Sequence, residues 1–208
     1  MIVTGERPGI HDKVGALTGD RPLKLDLGCG ERKHAADYVG IDAVDGPAVD
    51  VVGDVVDVLR ALGDERAVAV YSSHLFEHIA DLTALVDELE RVLAVGGRLH
   101  VIVPHFSNAY YYSDPTHRRP FGLYTFSYFA EDSLFRRRVP TYGRRPRLRL
   151  ETASLGFRSA IEFRVRWRMK AAVGRLVNAS VWLQEFYEEN LAAVLPCYEL
   201  EFTLRKVR

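Results

Sequence analysis

The chain has 208 residues, 48% of them hydrophobic and 27% charged, with 28 basic and 28 acidic side chains. That length fits one domain with a sizeable core, and the composition excludes a disordered chain. Two cysteines, Cys29 and Cys197, without C-x-x-C spacing exclude a disulfide framework and a cysteine-rich zinc site.

In chain order, the first stretch, MIVTGERPGIHDKVGALTGDRP, carries no charged region followed by an apolar one, and no run of 18 apolar residues occurs. A cytoplasmic protein without a membrane segment is expected. From Leu23 to Val103 short Val/Ile/Leu runs alternate with amphipathic stretches, the pattern of a parallel sheet with crossover helices. LKLDLG, YVGIDA, VDVVGD, VAVYSS and RLHVIVP read as strands. Between the last two, DLTALVDELERVLAVGG sets Leu82, Leu85, Val86, Leu89, Val92 and Leu93 at helical spacing and closes on Gly96-Gly97.

After Pro104 the character changes. Residues 105–150 are aromatic, proline-bearing and basic without a helical period, and read as a segment covering an active site. RLRLETA and SAIEFRVRW read as two further strands, followed by a helix from about Ala171 to Leu195 within an insertion over 168–196. CYELEFTLRKV alternates as an edge or near-edge strand. The whole, 1–208, reads as one domain with its core in 22–104. Val177, Val181, Trp182 and Phe186 of the late helix offer a dimer face or a lid, so a homodimer is among the expectations.

Charge divides the chain in two: residues 1–104 hold 10 Lys and Arg against 18 Asp and Glu, and residues 105–208 hold 18 against 10. Solvated surface is the ordinary reading of such asymmetry, and an acidic cofactor half facing a basic substrate half is the other.

The turn LDLGCGERK poses the chemical question. A dinucleotide loop needs G-x-G-x-x-G, but Lys33 stands where the third glycine belongs. A triphosphate loop needs Gly-Lys-Ser/Thr, which GCGERKHA lacks. Instead, the strand before the glycines holds Asp26, whose carboxylate opposes phosphate and favours an ammonium group or ribose hydroxyls. The second strand ends at Asp42, placed to accept both hydroxyls of a ribose, and the third ends at Asp54. Three carboxylates at the ends of successive parallel strands would line one crevice, which suits a nucleoside with an amino-acid tail.

In order and spacing, LDLGCG, VGID, GDVVD, VYSSHLFEHI and LERVLAVGGRL resemble the cofactor motifs of class I S-adenosylmethionine-dependent methyltransferases, over about residues 22–104. The resemblance implies an α/β fold, a Rossmann-like seven-stranded, mostly parallel sheet with helices on both faces, and S-adenosyl-L-methionine as cofactor. It implies that Asp26, Gly28 and Gly30 surround the methionine moiety, with Cys29 contributing its backbone. Asp42 would bind the ribose, Asp54 and the Val55 amide would read the adenine, and Ser73 and His74 would approach the sulfonium. DPTHRRPFGLYTFSYF is further similar to small, poorly characterised bacterial methyltransferases, a likeness that supplies no substrate.

Methyl transfer is an in-line displacement in which the enzyme chiefly positions the nucleophile, so a general base is optional. His105, directly after the fifth strand, is the first candidate for a base, and His117, near Asp114 in SDPTHRRPF, is the second. Tyr110, Tyr111 and Tyr124, together with His78, are expected on the acceptor side, where aromatic faces attract the sulfonium. His74, His78, His105, Asp114 and His117 are all groups that ligate metals, but His74 and His78 already have a cofactor-side reading, and no metal is expected.

After the fourth strand the chain reads SSHL, in place of the N/D-P-P-Y/F loop by which members of this superfamily methylate amino groups. Neither cysteine sits where pyrimidine C5 methylation needs its nucleophile. The expected partner is therefore a small-molecule metabolite, methylated on O, N or C. One alternative is an RNA or nucleotide-linked acceptor contacted by FRRRVPTYGRRPRLRL, with Arg145, Arg147 and Arg149 on one strand face. Zero net charge disfavours nucleic acid, and the other alternative is a non-catalytic cofactor-binding regulator.

Overall fold

The structure, a computed structural model, describes residues 21–131, 134–158 and 163–208. Seven strands form its sheet: β1 (Leu23–Leu27), β2 (Val39–Asp42), β3 (Val51–Val52), β4 (Ala67–Ser73), β5 (Leu93–Pro104), β6 (Leu148–Gly156) and β7 (Glu199–Lys206). They lie in the order β3-β2-β1-β4-β5-β7-β6. Strands β1 to β5 pair in parallel, while β7 runs antiparallel to both β5 and β6. The order reverses between β1 and β4, and in open α/β sheets ligands bind outside the carboxyl ends of the strands at such a reversal.

Period-two alternation explains the layers. Leu25, Val70, Leu99, Val101, Phe202 and Leu204 are buried, and helices α1 (Val55–Ala61) and α2 (Leu82–Val92) pack against each other. Asp81 starts α2 by accepting the Ala84 N–H at 3.0 Å. The alternate sheet positions carry half-buried Lys24, Tyr71, His100 and Thr203. There the His34 ring stacks on Tyr71 at 3.9 Å, and Tyr71 stacks on His100 at 5.4 Å. The 105–150 segment makes short 3₁₀ turns at Ala109–Ser113 and Thr125–Phe129. It also buries Phe121, Leu123 and Phe126 in the core, with Phe126 4.8 Å from the Phe202 ring.

Two elements depart from expectation. The late helix is two helices, α3 (Arg164–Val177) and α4 (Val181–Asn190), because Asn178 ends the first and Ser180 caps the second by accepting the Leu183 N–H at 3.2 Å. SAIEFRVRW begins outside the described residues, and its Arg164–Trp167 portion is helical. The apolar alternation there does not mark a half-buried strand, since Val165 and Trp167 are 74% and 49% exposed. The stretch before Arg21 also lies outside the described residues. The strictly alternating final strand, β7, is next to the edge.

Several outward backbone groups of the edge strand β6 are occupied. Glu131 N–H donates to Leu148 C=O (2.7 Å), and Gln184 Nε2 donates to Ala153 C=O (2.7 Å). The Asn178 carboxamide accepts from Leu155 N–H (2.9 Å) and donates to Leu155 C=O (2.8 Å). Among the described residues no helix is long and apolar enough to cross a membrane.

Candidate active site

The ends of β1, β2 and β3 are tied together through the backbone. Gly28 (φ +70°) and Gly30 (φ +54°) adopt the left-handed conformation that glycine takes at little steric cost. Gly28 N–H donates to Ile41 C=O (2.8 Å), and Gly53 N–H donates to Asp42 C=O (2.9 Å). The Asp42 carboxylate accepts from Gly30 N–H and Val44 N–H, both at 2.9 Å. Each oxygen keeps lone-pair capacity for a hydroxyl donor. Asp54 caps α1, its Oδ1 accepting from Val56 N–H (2.9 Å) and Asp57 N–H (3.3 Å), while Val55 opens the helix without entering the cap.

Asp26, 2% exposed, accepts the His34 N–H at 2.6 Å, and burial pushes its carboxyl above the usual range. Burial, together with the Asp26 and Asp42 carboxylates, pushes the Cys29 thiol up to about 11, so this side chain is a packed thiol. A Cβ on Gly28 would come within 3.0 Å of the Leu75 Cβ, which places the ends of β1 and β4 in contact.

At the end of β4, after Ser73, His74 sits at φ +56°, where a non-glycine residue is held only by its surroundings. Its Nε2 lies 3.6 Å from Glu199 Oε2 and its Nδ1 3.2 Å from Glu77 Oε1. These two buried carboxylates raise the imidazole to about 9. At neutral pH His74 is therefore an imidazolium and cannot accept a proton from a substrate. Glu199 also pairs with Arg158 at 2.5 Å.

Of the proposed catalytic and substrate residues, His78, Tyr111 and His117 come together, while His105, Tyr110 and Tyr124 lie apart from them. His105 is fully buried: its Nδ1 accepts the Ser107 N–H (3.0 Å), and its Nε2 lies 3.2 Å from Glu188 Oε2. With both nitrogens engaged inside the protein, His105 is a packing centre and does not face an acceptor. His117 donates from Nδ1 to Tyr111 C=O (2.8 Å) and stacks on the buried Tyr111 ring at 4.7 Å. His78 lies beside it, with ring centroids 4.8 Å apart. Tyr110, 72% exposed, borders one cleft with Tyr198. Tyr124 borders another, its hydroxyl donating to Glu185 Oε1 (2.9 Å), and burial pushes the phenol well up.

Four carboxylates escaped the sequence reading. Asp50 binds Gly40 N–H (2.7 Å) and Lys33 Nζ (2.8 Å), which fastens the glycine turn to β2. Glu188 bonds both His105 and Leu123 N–H, while Glu77 and Glu199 hold His74. Glu77 carries the one local signal, its place between two histidines in HLFEH. Its side chain is buried and its Oε2 has no hydrogen-bond partner, a state that ordinarily costs about 1–3 kcal/mol, or more when charged.

The strand order, the left-handed glycines and the aspartates at the strand ends give the switch-point arrangement at which open α/β sheets bind ligands. The family model described as "Methyltransferase domain" matches residues 25–101, and the chain carries a class I S-adenosylmethionine-dependent methyltransferase domain, with S-adenosylmethionine as its cofactor. No curated protein matches the sequence. A SAM-dependent methyltransferase from Archaeoglobus fulgidus is similar in fold, with TM-score 0.54, 16% identity, and 95% of this chain and 93% of that one covered. The [4+2]-cyclase SpnF is also similar, with TM-score 0.50, 18% identity, and 95% and 80% covered. So is phosphoethanolamine N-methyltransferase 2 of Haemonchus contortus, with TM-score 0.50, 12% identity, and 95% and 52% covered.

Proposed function

We propose that the chain methylates a small metabolite that carries an anionic group. The observation behind this reading is a cleft of about 520 Å³ lined by Tyr110, Phe163 and Tyr198 together with Arg158, Arg166 and Lys170. Its wall reaches the end of β4, because Arg158 pairs with Glu199, the residue that holds His74. The volume is that of a small-molecule site. The rings supply flat apolar faces, and the three cations favour a carboxylate or phosphate on the acceptor. With His74 protonated and His105 buried, positioning of an already nucleophilic acceptor accounts for the chemistry.

The arginines of FRRRVPTYGRRPRLRL support a surface role over an RNA-binding one. Arg144 pairs with Asp87 and Arg149 with Glu131, while Arg145, Arg147 and Arg149 alternate outward with buried Pro146, Leu148 and Leu150. The test is transfer of labelled methyl from S-adenosylmethionine into a cell extract separated into small-molecule and RNA fractions. Label in the small-molecule fraction, with Lys170→Ala raising KM more than it lowers kcat, is expected. Label confined to RNA would refute the reading.

A further inference from the structure

The turn Phe76–His78 after β4 meets the loop around His117. Arg118 N–H donates to Glu77 C=O at 2.8 Å, and Arg119 Nη2 donates to Ala80 C=O at 2.6 Å. Between these two fastened segments stand Glu77, His78 and His117, whose ligand atoms all lie within 4.8 Å of one another.

Hydrogen bonds set the state of each donor. Thr116 donates its hydroxyl proton to Asp114 Oδ1 at 2.5 Å, so its Oγ accepts from His78 Nδ1 at 2.8 Å. His117 Nδ1 donates to Tyr111 C=O at 2.8 Å. With Nδ1 held as the donor, Nε2 is the nitrogen of each ring that can ligate, as in metal-ligating histidines whose other nitrogen is held by a second group. On Glu77, Oε1 accepts from His74 Nδ1, while Oε2 is buried and unpartnered. The buried Glu77 Oε2 is thus left without a hydrogen-bond partner, a state that buried polar atoms rarely show, and it shares this cluster with two half-buried histidines, His117 Nε2 lying 3.7 Å from Asp114 Oδ2, beyond hydrogen-bond distance.

We propose that Glu77 Oε2, His78 Nε2 and His117 Nε2 bind a divalent first-row transition metal of the zinc and cobalt class. Bonds of about 2.0–2.2 Å bring tetrahedral ligands to about 3.3 Å from one another, within reach of small side-chain rotations from the present spacing. Two nitrogens and one carboxylate suit zinc or ferrous ions and leave a coordination position open. His74, His105 and Asp114, which a reading of histidines alone would group with these residues, are not ligands: His74 orients Glu77, Asp114 orients Thr116, and His105 lies in the core. The inference does not depend on the identity of the methyl acceptor.

The experiment uses the full chain, freed of metal by chelator dialysis, titrated with Zn²⁺ by calorimetry and with Co²⁺ by visible absorption. The expected result is one ion per chain, with Co²⁺ ligand-field bands. Glu77→Gln should weaken binding at least a hundredfold, and Thr116→Val about tenfold to a hundredfold through loss of the group that holds His78. His100→Ala, away from the cluster, should bind as the wild type does. Should Glu77→Gln fail to fold, the exposed Thr116→Val decides alone. Absence of saturable one-to-one binding, or unchanged affinity in folded Glu77→Gln or Thr116→Val, overturns the proposal.

Discussion

Replacing Asp42 by Ala tests whether the crevice at the end of β2 is the ribose end of the cofactor site. The substitution removes two charge-assisted hydrogen bonds of 2.9 Å, to Gly30 N–H and Val44 N–H, as well as the acceptors for the ribose hydroxyls. Such bonds are worth about 1.5–3 kcal/mol each when buried, but Asp42 is half-buried and water replaces part of each. The ligand must then order a glycine turn that the carboxylate no longer holds. A net loss of about 1.4–2.8 kcal/mol is expected, a tenfold to hundredfold rise in Kd. Calorimetry with S-adenosylhomocysteine measures it, with circular dichroism to establish that the variant is folded. Asp42→Asn keeps one acceptor oxygen and should fall between. A folded Asp42→Ala protein whose Kd stays within twofold of the wild type would refute the reasoning.

Three further outcomes are expected. His105→Ala should lower the urea midpoint, by about 1–3 kcal/mol in stability, because it leaves partners of the buried ring unpaired; a stable variant with lost turnover would restore His105 as a base. Gly40→Ala should destabilise by about 1–3 kcal/mol, since its Cβ would meet Ala48 C=O at 2.3 Å; an unchanged thermal midpoint would contradict that packing. Cys29 and Cys197, with thiols pushed up to about 11 and about 12, should resist a disulfide reagent at pH 8 until the protein is unfolded in guanidinium; fast labelling of the native protein would show that the burial is wrong.

Strands β4, β5 and β7 were legible because their burial largely alternates, and alternation survives in a linear reading, while β1 and β2 were legible as short Val, Ile and Leu runs that end at glycine or aspartate. The expectation of a cofactor crevice rested on a related signal, carboxylates at the ends of successive strands, which topology brings to one edge of the sheet. The acceptor side was not legible in the same way. His105 looked like a base from its position after β5, but its partner Glu188 is on α4, 83 residues away in the chain. His74 was read only as approaching the sulfonium, and its carboxylate partner Glu199, at the start of β7 and 125 residues away in the chain, carries no local signal. SAIEFRVRW misled because period-two alternation of apolar residues with arginine marks a strand only when one face is buried, and here both faces of Arg164–Trp167 meet solvent.

The occupied backbone groups of β6 have a consequence for the molecule in a crowded solution. Open sheets recruit one another through unpaired outer strands, which is how many of them begin to aggregate. Here one margin is β3, only two residues long, and at the other Glu131, Asn178 and Gln184 already take the places an incoming strand would need. The chain thus limits the growth of its own sheet with two carboxamides and one backbone amide, and Asn178→Ala would weaken that block at Leu155 before it touched the crevice.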